Sequence, residues 1–143
     1  MRSSYRAFIR KTLAGLDRVG DGVLLGVRAM MAKVFFLSGL TKVEDWSNTL
    51  FLFAEEYHVP LIPPPVAAAM ATAVELSCPV LLVLGLGTRL AVLPLLAMTA
   101  VIQFTYLNHT DHYFWGMLLG VLLCFGPGRL SADHLLRRKF LRA

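Results

Sequence analysis

The chain has 143 residues, of which 57% are hydrophobic and only 16% charged, and its mean hydropathy is +0.64. Soluble domains carry roughly 25% charged residues, so an ordinary soluble enzyme is excluded, and the length leaves room for one membrane domain over residues 1–143. The net charge of +5 does not indicate nucleic acid, because Lys and Arg gather at the two ends rather than in a stripe interleaved with aromatics.

A basic cytoplasmic tail is expected over residues 1–21, with Arg2, Arg6, Arg10, Lys11 and Arg18 placed to meet anionic lipid headgroups. The first apolar run, Val23 to Leu40, predicts a helix over about 22–41. It begins late and lacks a small-residue cleavage pattern, so it is expected to stay in the mature protein. Next, Trp46 to Tyr57 sets Trp46, Leu50, Phe53 and Tyr57 at helical spacing, which predicts a short amphipathic helix on the outer interface or capping the bundle. Pro63, Pro64 and Pro65 then start a second long helix, about 65–86. Two more follow, about 89–107 and 112–126, and a second basic tail covers 127–143 with Arg129, Arg137, Arg138, Lys139 and Arg142. An 18-residue helix reaches about 27 Å, close to a hydrocarbon core, and the fourth run is the shortest. The prediction is an all-α, integral membrane four-helix bundle.

Loop charge orients it. Residues 41–64 carry Glu44, Asp45, Glu55 and Glu56 against the single Lys42, and Asn108 to His112 holds no Lys or Arg. The turn Gly87 to Arg89 and both ends are basic, so the N-terminus and C-terminus read as cytoplasmic.

Ionisable residues inside hydrocarbon cost at least about 2.5–3.5 kcal/mol each on insertion scales and mark function or pairing. Arg28, Lys33 and Glu75 are such residues. Arg28, Phe35, Gly39 and Lys42 fall within about 60° of one another on a helix, forming one stripe. Glu75 lies about 15 Å into its helix, on a face shared with Ala68, Ala71, Thr72, Cys78, Pro79, Leu82 and Arg89. Arg28 is its expected partner through the common stripe; Lys33 is nearer in depth but about 140° away around the helix. The pair either holds two helices in register or leaves Glu75 free to exchange protons or touch a ligand headgroup.

Gln103 with Tyr106 could form a polar site near the outer loop, although an interhelical hydrogen bond explains Gln103 equally. His58, His109 and His112 are weak metal candidates at the outer mouth, but their spacing follows no ligand pattern, and none is assigned a metal. Gly116 and Gly120 form a GxxxG, expected to serve packing within the bundle ahead of dimerisation. Cys78 and Cys124 lie far apart in apolar runs and are expected to be packing residues.

These features resemble the DoxX family of small four-helix bacterial membrane proteins: RAMMAKVFFLSGLTK with Arg28, Phe35, Gly39 and Lys42; Glu75 followed by LLVLGLGTRL; and HYFWGMLLGVLLCFGPGRLSADHLL. The resemblance runs from about Gly22 to Leu136 and implies a multi-pass protein of the bacterial inner membrane. It also implies a polar core of Arg28, Lys42, Glu75 and Arg89, with Lys33 outside the pattern. Some relatives look like small subunits of thiosulfate:quinone oxidoreductases, others like parts of membrane thiol or oxidative-stress complexes. The expected role is therefore an accessory or anchoring subunit of a redox system, with a protein partner or further copies of itself and a diffusible quinone in place of any intrinsic cofactor. No haem, Fe-S or nucleotide motif equips the chain for redox chemistry unaided. The alternatives are a structural or assembly protein and, in an oligomer, a small-solute or ion pathway.

Overall fold

The computed structural model describes residues 2–57, 59–105 and 109–140, with side chains from Phe8 onward. Its described residues form six helices and no strand. α1 (Arg2–Glu44) is 43 residues long, about 65 Å. The predicted helix over 22–41 is therefore only its second half, and the basic segment before it is helical too. The reason is visible in helical phase: Phe8, Leu13, Leu16 and Val19 share one face, Arg10, Lys11 and Arg18 another, and no proline interrupts them.

α2 (Trp46–Glu55) starts at Asp45, whose carboxylate accepts the Asn48 N–H at 2.9 Å. Thr49 Oγ1 donates to the Lys42 carbonyl at 3.1 Å and so ties α2 back onto the end of α1. α3 (Pro64–Leu84) opens on prolines, which lose nothing at a helix start, and closes at Gly85, whose φ of +65° is left-handed. α4 (Thr88–Thr105), α5 (Thr110–Phe125) and α6 (Ala132–Phe140) complete the chain. The last of these lies inside the segment expected as a tail. Asp133 in its first turn and Arg137, Arg138 and Lys139 in its last complement the helix dipole.

α1 packs on α3, α3 on α4, α4 on α5 and α5 back on α1, while α2 rests on α3 and α1. Met31, Phe35, Leu82, Val92, Leu95, Leu119 and Leu122 form the buried centre. A second cluster, Phe53 with Ala67 and Ala68, seats α2. α1 and α3 cross at Gly39, where an added Cβ would stand 2.9 Å from Leu76 Cδ2 and 3.0 Å from Glu75 Cβ. Only a residue without a side chain permits that approach. Phe8–Glu44, Pro64–Leu84 and Thr88–Thr105 are long and apolar enough to cross a membrane, while α5 has 16 residues.

Gly116 and Gly120 are half-buried, and a Cβ at either would meet nothing within 4 Å, so neither is a point of close helix approach of the kind Gly39 makes. Cys78 is buried, whereas Cys124 is exposed, so the packing role expected of both applies to Cys78 alone.

Candidate functional site

The buried stripe of α1 carries a cation at each end, and the fold uses them in different places. Glu75, 2% exposed, faces Lys42: the ammonium lies 2.7 Å from Oε2 and donates to Oε1 at 3.0 Å. Ser38 completes the group, donating its hydroxyl to Glu75 Oε1 at 3.1 Å while accepting from Lys42 Nζ at 2.9 Å. The expected Arg28–Glu75 pair is not formed. A helical side chain projects back toward its own N-terminus, so the long arm of Lys42 descends over Ser38 to the level of Gly39. Arg28 starts about 21 Å further along the axis and projects away from Glu75. Lys33 is exposed and takes no part in either cluster.

Arg28 is fully buried at the other end of the stripe. Its guanidinium donates Nη1 to the Leu82 carbonyl at 3.3 Å and Nη2 to the Leu130 carbonyl. Two turns close around it. Asp133 accepts the N–H groups of Gly87 at 2.8 Å and Thr88 at 3.2 Å, neutralising the start of α4, and its own N–H donates to the Gly85 carbonyl at 2.9 Å. Asp21 accepts the Arg129 N–H at 2.8 Å. Arg89 is exposed and donates to the Cys124 carbonyl at 2.9 Å, at the end of α5. The expected single core of Arg28, Lys42, Glu75 and Arg89 thus divides: Lys42 and Glu75 form one group, Arg28 a second, and Arg89 is a helix-end cap.

Beside Lys42 and Glu75 lies a cavity of about 460 Å³, within the range of small-molecule sites. Its walls are mainly apolar, from Ala71, Val74, Pro94, Met98 and Ile102, and α2 with the segment after it roofs the space through Phe53, Tyr57 and Ile62. The polar groups converge from several elements: Ser38 and Lys42 on α1, Glu75 on α3, Tyr57 after α2 and His112 on α5. Burial first, then the negative charges of Glu56 and Glu75, push the Tyr57 phenol above its ordinary pKa. It therefore stays protonated as a hydrogen-bond donor or acceptor.

Gln103 is buried, and its Oε1 accepts the His109 N–H at 3.3 Å and lies 2.9 Å from His112 Nδ1. An oxygen that accepts a backbone N–H is an acceptor for the ring as well, so His112 Nδ1 is the donor in this contact. The polar site expected around Gln103 is thus built with His112; Tyr106 and His58 lie outside the described residues. His109 is exposed, 3.8 Å from Asp111. Trp115 stacks edge-on between Phe35 and His112, with ring centroids 6.0 and 5.2 Å away.

The sequence reasoning missed Ser38, Asp133 and Asp21. Ser38 had a signal, since it precedes Lys42 by one turn and lies beside Gly39. The two aspartates bond across 46 and 108 residues, a separation that no local pattern encodes.

The family model for DoxX matches residues 23–108. This range takes in Arg28, Lys42, Glu75 and Gln103 and ends before α5, so the HYFWGMLLG segment lies beyond it. No curated protein and no solved structure matches the chain. With more than half of its length matched, and with both cations and the buried acid inside the match, the chain belongs to the DoxX family.

Proposed function

We propose that this DoxX-family membrane protein is a non-catalytic accessory subunit of a membrane redox system and holds a diffusible quinone beside Lys42 and Glu75. One observation carries the reading: a buried carboxylate and a half-buried ammonium, 2.7 Å apart, border an apolar cavity of about 460 Å³. Such a pair can donate to a carbonyl oxygen through Lys42 and exchange a proton through Glu75, while apolar walls take a ring and the start of its tail. The redox centre belongs to a partner protein.

In this reading α1, α3, α4 and α5 cross the bacterial inner membrane as a four-helix bundle, with both ends cytoplasmic. Loop charge supports the orientation, and the ring of contacts among the four helices supports the bundle. α5 spans about 24 Å at most, which calls for some local thinning of the bilayer.

The test is Glu75→Gln in the native membrane, with copurification from a mild detergent extract read alongside quinone reduction. The expected result is an assembly lowered in amount by the broken ion pair but still recovered, with reduced quinone turnover per recovered complex. Unchanged turnover in an intact assembly removes the redox reading. Loss of the protein from the membrane favours a structural role, which the Gly39 crossing beside Glu75 also suits.

A further inference from the structure

The cavity has an edge as well as walls. It lies between the halves of α3 and α4 remote from their connecting turn: Leu82 and Ala91 are buried near the turn, and the lining begins beyond them, at Glu75 on α3 and Pro94 on α4. Glu75 and Ala97 each stand eleven residues from Leu86, so they share a level in this hairpin. Among the described lining residues only Met70, 53% exposed, and Ala97 are exposed. They come one from each helix, at the seam between them. On the far side Phe53, Tyr57 and Ile62 form the roof, so the loops cover the route toward water.

α3 and α4 are both apolar enough to span a bilayer, and the residues flanking the seam, Val66, Leu93 and Phe104, are exposed hydrophobics. The seam therefore faces acyl chains. We propose that it is a lateral mouth, with Met70 and Ala97 as its lips, through which a lipid-dissolved amphiphile enters tail-side from the bilayer and brings a hydrogen-bonding head to Lys42 and Glu75. The proposal rests on reading the cavity as a ligand site in a membrane-spanning protein, and it adds the route and the class of ligand. A water-borne solute does not fit, since the apolar edge offers it no hydrogen-bonding path.

Trp115 lines the cavity, and Trp46 is the other of the two tryptophans. The Trp46→Phe protein thus reports from Trp115 alone. It is reconstituted in phosphatidylcholine vesicles with or without bromine on the acyl chains, and acrylamide serves as the aqueous quencher. Acyl-chain bromine is expected to quench Trp115 strongly and acrylamide weakly. Ala97→Phe, which fills one lip, abolishes the bromolipid quenching, and so does Met70→Phe, which stands in should the first variant fail to fold. Val83→Phe, exposed on α3 near its turn and about 140° around the helix from Met70, leaves it unchanged.

Bromolipid quenching that persists in both lip variants overturns the proposal, as does quenching by acrylamide in preference to bromolipid. No quinone enters the measurement. Quenching abolished by Ala97→Phe, together with quinone turnover indifferent to Glu75→Gln, keeps the mouth and discards the redox reading.

Discussion

Lys42 reaches down one turn of α1 to place its ammonium 2.7 Å from Glu75 Oε2, with Ser38 bridging the two side chains. Glu75 is 2% exposed and Lys42 15% at the side chain. Removing one partner of such a pair strands the other charge in an apolar wall, at a cost of about 3–5 kcal/mol, whereas removing both is far cheaper. Lys42→Met is therefore expected to lower stability by that amount, and adding Glu75→Gln to restore most of the loss. Unfolding in detergent, followed by helix content, reads both variants. A double variant no more stable than the single one refutes the pairing as an energetic unit.

Gly39 in α1 and the pair Gly116 and Gly120 in α5 should respond oppositely to an added side chain. Gly39→Leu drives a side chain into Leu76 and Glu75 where α1 crosses α3, and overpacking of this kind costs about 1–3 kcal/mol. Gly116→Ala and Gly120→Ala meet open space, and alanine improves helix propensity by up to about 1 kcal/mol. The first variant should melt earlier than the parent and the other two no earlier. Early melting of Gly116→Ala would show that a second molecule covers that face.

How far the sequence specified this site depends on which coordinate is asked for. Helical phase placed Arg28, Phe35, Gly39 and Lys42 on one face and Ala68, Ala71, Thr72, Glu75, Cys78, Pro79, Leu82 and Arg89 on another; Lys42 and Ala71 are half-buried, Arg89 is exposed, and the others are buried. Phase says nothing about axial register between helices. The choice of Lys42 over Arg28 was decided by where α3 sits along α1 and by the direction in which a helical lysine projects. The length of α1 escaped for a related reason: hydropathy detects apolar runs, and residues 8–19 alternate apolar and basic faces while remaining helical. Gly116 and Gly120 carry a packing pattern, but a pattern cannot state whether a neighbour is present. The cavity is enclosed by α1, α3, α4, α5 and α2 with the segment after it, a tertiary arrangement with no local signature.

Tyr57 supplies a pH test outside the spanning helices. Burial, then Glu56 and Glu75, hold its folded pKa above the ordinary value of 10.0. Below that value the phenol is protonated in both folded and unfolded chains, so it contributes no pH dependence. Above it the unfolded chain ionises first and binds fewer protons, so stability falls as pH rises toward the folded pKa. The phenolate difference spectrum between the parent and Tyr57→Phe should show a titration later than that of free tyrosine. Glu56→Gln should bring it earlier; a midpoint indifferent to Glu56 rejects the assigned charge effect.

Arg28 acts at the opposite end, and its removal should have a local signature. Arg28→Gln withdraws charged donors from the Leu82 and Leu130 carbonyls, and a hydrogen bond to a charged group is worth about 1.5–3 kcal/mol; the Leu82 carbonyl keeps the Gly85 N–H at 3.1 Å, so the loss falls mainly on Leu130. Leu130 lies in the turn that carries α6, so the loss should loosen that turn and the following helix. Gly85→Ala is expected to give the same phenotype by another route. Its φ of +65° disfavours any side chain, and the new methyl group would occupy the place of Arg28 Nη1. In reconstituted vesicles both variants should be cut faster by trypsin at Arg129 and Arg137. Bromolipid quenching of Trp115 in the Trp46→Phe background should stay unchanged, because the cavity is anchored by Lys42, about 21 Å along α1. Faster cleavage with altered quenching would mean that the two ends of the stripe are coupled and that Arg28 is part of the ligand site.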